Sequence, residues 1–209
     1  SSVQSLVYIT SDKCYWNSEW VWGYRESDPL GGSDPYSASK ACAEHVFKSY
    51  YLSYFKERGF SNETIKKFNL GYSPNTRDAL TKEALGKAYK LEFLEKTGLT
   101  IVGEDKQFDR FKGRVMFPIQ SMSGRVLGFG GRILTNDKKA AKYLNSPESE
   151  IYHKSNVLYG IFHAKQSIAK LDNCFLVEGY TDVIQMHQAG IENVVSSSGT
   201  ALTPNQIRL

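Results

Sequence analysis

Cysteine is scarce in this chain, with three among 209 residues, and the scarcity excludes more than it permits. Cys14, Cys42 and Cys174 stand far apart, with no Cys-x-x-Cys pair and no Cys/His pattern, so neither a zinc site nor a disulfide framework is expected. Long apolar runs are missing too. No stretch approaches the ~20 residues needed to cross a bilayer, and the start has no basic segment leading into an apolar one. The expected setting is therefore soluble, reducing and cytoplasmic, with no membrane partner. Internal repeats and low-complexity tracts are absent, and so is a strong charge of either sign. The net charge of +4 is unevenly spread: residues 1–55 carry four basic and six acidic side chains, against 22 and 16 in the remainder. The basic excess downstream is compatible with a polyanionic partner. All three tryptophans, Trp16, Trp20 and Trp22, fall in the first segment, and this shift in composition suggests two segments of different histories.

What is present is led by the run Phe175-Leu176-Val177-Glu178-Gly179-Tyr180-Thr181-Asp182-Val183. An apolar strand that stops at an acid and a glycine, then opens into a helix, reads as the start of a β-α-β unit. Such units bind ligands at the carboxyl ends of their strands. A carboxylate there suits a hard divalent cation such as Mg²⁺, which commonly takes one or two protein carboxylates. A solvated acid at a strand end is the plainer alternative.

The rest of the pattern predicts a strand over 5–10, a helix from about Ser37 to Phe55 ended by Gly59, and a second helix capped by Ser61 that stops before Gly71. Phe60 and Ile65 bracket that cap as a hydrophobic staple. A longer helix is expected from Thr81 to Lys96, closed by Gly98. Antiparallel hairpin structure is expected from Arg114 to Leu134 around the turn Ser121-Met122-Ser123-Gly124. A helix over Asn156–Lys170 should carry Val157, Ile161, Ala164, Ile168 and Leu171 on one face. Then come strand 174–178, helix 181–188, Gly190 and strand 193–196.

Three basic clusters precede the acidic strand end: Asp109-Arg110-Phe111-Lys112-Gly113-Arg114, Gly128-Phe129-Gly130-Gly131-Arg132 and Lys142-Tyr143-Leu144-Asn145-Ser146-Pro147-Glu148. Each is expected in or beside a turn. Arginine's planar fork matches phosphate oxygens, and glycine lets the backbone approach a bulky anion, so the clusters suit nucleotides or single-stranded nucleic acid. Taken one at a time, each also fits an ordinary solvated face.

The ordered set RGFSNETIKKFNLGY, DRFKGRVMFPI, GRVLGFGGRIL, KYLNSPE, HKSNVLYG, LVEGYTDV and GTALT resembles the catalytic core of bacterial DNA primase of the DnaG type, over about residues 54–209. The resemblance implies an α/β chain: an α+β basic subdomain over 54–171, then a partial Toprim α/β subdomain over 172–209. It implies synthesis of RNA primers on a single-stranded DNA template from ribonucleoside triphosphates, with Mg²⁺ or Mn²⁺. By the same resemblance Glu178 is the Toprim glutamate and metal ligand, with Asp182, Lys142 and Tyr143 catalytic. Arg58, Arg110, Arg114, Arg132 and Asn145 are implied in nucleotide or template contact. The family's later Asp-x-Asp pair, its zinc-binding region and its helicase-binding region do not occur in these 209 residues, so the expectation is a catalytically incomplete core without its replicative helicase contact.

Tyr36-Ser37-Ala38-Ser39-Lys40 places a phenol and an ammonium four residues apart on one helical face, where the lysine can lower the phenol's pKa. With the preceding TSDKCY and the following KACAEHV, residues 1–53 resemble the middle of a short-chain dehydrogenase/reductase of the CDP-glucose 4,6-dehydratase type. That resemblance implies an isolated strand-loop-helix Rossmann fragment with Ser11, Asp12, Lys13, Tyr36 and Lys40 as vestigial catalytic residues. The glycine-rich turn that holds NAD is not among these residues, so NAD binding is not expected. The whole then reads as a chimera joined near Ser53-Tyr54-Phe55-Lys56.

Overall fold

The computed structural model describes residues 30–31, 54–104, 106–134, 140–199 and 201–209. The expected strand at 5–10, most of the helix expected from Ser37, and Ser11, Asp12, Lys13, Tyr36 and Lys40 lie outside the described residues. The chain divides into two compact units, Ser1–Gly59 and Phe60–Leu209. In the first, residues 54–56 are helical. Arg58 lies 3.8 Å from the centroid of the Tyr54 ring and donates to the Tyr54 carbonyl at 3.2 Å.

The second unit begins with α1 (Asn62–Lys67), and the Ser61 hydroxyl accepts from the Thr64 N–H at 3.1 Å, as the sequence predicts. Phe60 and Ile65 on either side of this cap are both buried. After β1 (Gly71–Ser73) the chain forms α2 (Ala79–Gly86) and α3 (Leu91–Lys96), where one helix from Thr81 to Lys96 was expected. The break is a Schellman closure: Tyr89 N–H donates to the Ala84 carbonyl and Ala88 N–H to that of Leu85, both at 3.0 Å, with Ala88 at φ 63°. The second closure, at Gly98, follows the sequence expectation. Its φ is 67°, with Leu99 N–H reaching the Leu94 carbonyl at 2.9 Å.

The start of α2 has no cap from its own Asp78. Asp109, 29 residues from Leu80, supplies it from the end of β3 (Gln107–Asp109), which pairs with β2 (Thr100–Val102). Its carboxylate accepts from the N–H groups of Leu80 and Thr81 at 2.7 and 3.0 Å, and from the Thr81 hydroxyl at 2.7 Å. An acid that reads as part of a basic cluster thus spends itself on holding a helix.

The hairpin forms as expected. β4 (Arg114–Gln120) and β5 (Val126–Ile133) pair antiparallel around a turn closed by Gly124 N–H on the Ser121 carbonyl. Adding β1 and β6 (Tyr143–Asn145) gives a four-stranded sheet in the order β1-β4-β5-β6. The alternation Val115, Phe117, Ile119 puts three fully buried side chains on one face of β4.

The helix expected over Asn156–Lys170 starts late. A 3₁₀ turn (Lys154–Asn156) is followed by extended chain, in which Tyr159 exchanges backbone hydrogen bonds with Ser196 at 2.8 and 3.0 Å. Only after Gly160, at φ 87°, does α4 (Ile161–Leu171) begin. Val157 is therefore buried but not on the helix, and Leu171 is exposed. A parallel pair, β7 (Phe175–Val177) and β8 (Val194–Ser196), flanks α5 (Tyr180–Gln188) in the chain, giving the predicted β-α-β order. The short α6 (Pro204–Ile207) ends the chain, its Gln206 amide donating to the Lys154 and Val157 carbonyls.

His163 of α4 and His187 of α5 meet beside Phe68, with ring centroids 6.0 Å apart. Burial holds His163 down to about 4, so both helices pack against a neutral ring near pH 7. Among the described residues no helix is long and apolar enough to cross a membrane.

Replacing Asp109 by alanine leaves the α2 N–H groups of Leu80 and Thr81 without their acceptor, and should lower stability by about 3 kcal/mol. Urea unfolding measures the loss; a change below about 0.5 kcal/mol would show that the carboxylate does not hold α2.

Candidate functional site

Four of the expected site residues surround a pocket of about 320 Å³: Glu178, Asp182, Tyr143 and Asn145. Two come from the helix side and two from the sheet side. Glu178 sits where β7 ends, exposed, and its carbonyl accepts from the buried Ser196 hydroxyl at 2.7 Å, which ties the end of β7 to β8. Gly179 follows as the N-cap of α5, and one oxygen of Asp182 turns back to accept the Gly179 N–H at 3.0 Å. That bond is half of a capping box, and it fixes the Asp182 carboxylate beside the strand end.

From the other side, the edge strand β6 contributes Tyr143, exposed, and Asn145, half-buried. Arg132, paired with Tyr143 across β5 and β6, donates to the Tyr143 hydroxyl at 2.7 Å and lies 5.2 Å from its ring centroid. Lys142 is exposed immediately before β6. Lys142 and four further expected residues stand away from the pocket lining. Arg110 is half-buried in the turn after β3. Arg114 is buried under the sheet, where it donates to the Gly131 carbonyl at 3.3 Å and burial pushes its guanidinium pKa down. Arg58 belongs to the first unit. Arg132 reaches the pocket through Tyr143.

Sequence reasoning passed over Tyr180, Thr181, Ser198 and Gly199, which also line the pocket. Tyr180 and Thr181 lie inside the run already singled out, between its two acids. Ser198 adjoins the GTALT loop and has φ 61°, a strained backbone position that composition does not disclose.

The glycines of the GFGGR run turn out to serve packing. They lie within β5 rather than in a turn, and a Cβ on Gly130 would stand 2.2 Å from Tyr180 Cε2. One on Gly131 would stand 2.7 Å from Phe111 Cδ1. Tyr180 occupies the space that Gly130 leaves, stacked on Phe117 at 5.4 Å and tilted against Tyr159 at 4.5 Å. Its hydroxyl donates to Asn145 Oδ1 at 2.8 Å, and burial pushes the phenol up to about 12.

Glu178 and Asp182 offer the hard oxygen donors that Mg²⁺ or Mn²⁺ takes. Among the described residues no group of three or more His, Cys, Asp or Glu could hold a metal ion. The donor chemistry fits a magnesium-type ion completed by water and phosphate oxygens.

A pocket at the carboxyl end of parallel strands, faced by the edge of an antiparallel sheet, is that of an α/β protein. The family comparisons agree with that class and narrow it. The model of the DNA primase catalytic core, N-terminal domain, matches residues 41–165, and that of the Toprim domain matches residues 172–209. The first match begins at residue 41, ahead of the join expected near Ser53-Tyr54-Phe55-Lys56. The DNA primase of Pseudomonas aeruginosa is 41% identical over 171 residues, covering 81% of this chain and 26% of that relative's length. The RNA polymerase domain of Mycobacterium tuberculosis primase DnaG is similar in structure, with a TM-score of 0.72 at 42% identity, over 75% of this chain and 51% of that one. A DnaG primase catalytic domain solved bound to ssDNA matches with a TM-score of 0.70 at 40% identity, over 78% of this chain and 52% of that one. The chain belongs to the DNA primase catalytic core family, and its last part is a Toprim domain segment.

Gly130→Ala should cost about 2–3 kcal/mol, because Tyr180 is held between Phe117 and Tyr159 and cannot retreat from the added methyl. Gly71→Ala, where a methyl meets nothing within 4 Å, should change stability by less than about 0.5 kcal/mol. Equal effects in thermal unfolding would contradict the packing role of Gly130.

Proposed function

We propose that the chain is the nucleotide- and template-handling part of a cytoplasmic DNA primase that makes RNA primers on single-stranded DNA. The observation that carries this reading is the pocket itself, which gathers two carboxylates and two polar side chains of a basic sheet edge within one cavity. Primer synthesis joins a 3′-hydroxyl to the α-phosphate of a ribonucleoside triphosphate and releases pyrophosphate. Glu178 and Asp182 would hold Mg²⁺ or Mn²⁺, which when bound neutralises phosphate charge. Tyr143 and Asn145 then border the nucleotide, while Lys142 and Arg132 set a positive potential along its polyphosphate. Lys112 and Arg125, both exposed, extend the basic surface beyond the pocket. Arg58 and Arg110 belong to the proposed template contacts, and Arg114 would act through the sheet that it braces. The ssDNA bound to the similar primase catalytic domain supports a single-stranded template here.

Residues 1–40 precede the family match, and their likeness to a dehydratase of the short-chain dehydrogenase/reductase type stays a proposal about origin. It makes Ser11, Asp12, Lys13, Tyr36 and Lys40 vestigial residues of that origin.

In the full-length protein, Glu178→Gln should lower ribonucleotide incorporation on single-stranded DNA at least about a hundredfold while leaving DNA affinity within about twofold. Arg132→Ala should weaken DNA binding at every sequence and reduce the slope of log affinity against log salt by about 1. DNA binding indifferent to salt, or full incorporation by the Glu178→Gln variant, would refute the assignment.

A further inference from the structure

Asn145 lies directly opposite Gly130 in the β5–β6 pairing, and the Tyr180 ring lies against Gly130. The absence of a side chain at Gly130 therefore does two things. It opens the space that the ring fills, and it lets the phenol hydroxyl reach past β5 to the side chain on the neighbouring strand. The ring has little freedom: Phe117 and Tyr159 pack against it, and the residue is only 5% exposed. Its hydroxyl position is set by that packing.

We infer that Tyr180 is a positioning residue, which fixes the Asn145 amide with its oxygen turned to the phenol and its NH₂ group turned to the pocket, as a donor to a phosphate or sugar oxygen of the nucleotide. The chemistry of the amide carries the second half. Asn has one acceptor oxygen and one donor nitrogen, so an oxygen that accepts from a hydroxyl leaves the two N–H bonds for something else. Among the described residues the Asn145 Nδ2 group has no protein partner, and the residue lines the pocket. The phenol hydroxyl donates to that oxygen at 2.8 Å from a ring that its packing holds in place, which sets the end of the amide that faces the core.

An amide donor adds to what the pocket offers. Glu178 and Asp182 are acceptors only when ionised, and the Tyr143 hydroxyl accepts from Arg132 while keeping its own O–H to donate. An oxyanion or hydroxyl brought next to two carboxylates requires a neutral donor that does not neutralise them, and an oriented amide supplies one. Tyr180 thus converts packing energy in the core into the orientation of a polar group at the surface of the pocket.

The inference rests on the nucleotide reading above, and its test separates the two. In Tyr180→Phe the ring and its packing stay, so circular dichroism and melting temperature should be near those of the parent. The side-chain NH₂ resonances of Asn145, assigned by their loss in Asn145→Asp, should move to solvent-like positions with fast exchange. GTP affinity, titrated with Mg²⁺ present, should fall about five- to tenfold in Tyr180→Phe and by a similar factor in Asn145→Ala. The double variant should bind no more weakly than Asn145→Ala alone, because the phenol, which also has Ser198 as a side-chain neighbour, reaches the ligand through the amide. Additive losses, or an NH₂ signal unchanged in Tyr180→Phe, would overturn the positioning role. If the parent takes up no GTP, the ligand half of the inference falls together with the nucleotide reading, whatever the amide signal does.

Discussion

The contact of the Tyr180 ring with the bare backbone of Gly130 is the constraint on which the arrangement depends. It joins two pieces of secondary structure that have no covalent reason to meet, the first turn of α5 and the middle of β5. Because Tyr180 follows Glu178 by two residues, seating the ring also seats the strand end that carries the acid. Because Gly130 pairs with Asn145, it seats that strand end beside β6. One close contact therefore sets the distance between the acidic and polar sides of the pocket. A methyl group at position 130 would disturb both at once.

The charges around the pocket divide into those that build and those that face solvent. Arg114 and Asp109 are buried, one bracing β5 through the Gly131 carbonyl and the other capping α2. The Asp109 carboxylate is met by three donors, and the Arg114 guanidinium by the Gly131 carbonyl. Lys142, Lys112 and Arg125 remain exposed, and Arg132 is steadied by Tyr143. A long-range positive potential needs only the second group. The first group holds elements of the fold in place.

Local chemistry was legible in the sequence, and long-range packing was not. Ser61 as a cap, Gly98 as a left-handed helix end, the hairpin turn at Gly124 and the strand end at Glu178 are each decided by residues within a few positions, and the structure has all four. The glycines of β5 looked like room for an anion, because nothing nearby in sequence announces that Tyr180, fifty residues on, will fill the space. Asp109 looked like one member of a polar turn for the same reason. The helix expected from Asn156 lost its first turns to a backbone bridge with Ser196, forty residues from it, and the helix expected over Thr81–Lys96 broke at a closure that its amphipathic pattern did not reveal. The two acids, Tyr143 and Asn145 were named through family resemblance and line one pocket, whereas Tyr180, which also lines it, was not named.

The most direct test of the account is paramagnetic broadening of backbone amide signals by substoichiometric Mn²⁺ with GTP present. An ion held by Glu178 and Asp182 in a pocket shared with β6 should broaden the amides of residues 178–182 and of residues 143–145 together, and Glu178→Gln should abolish both effects. Broadening confined to one of these segments, or strongest at a distant part of the chain, would contradict the claim that the strand-end acids and the sheet edge form one site.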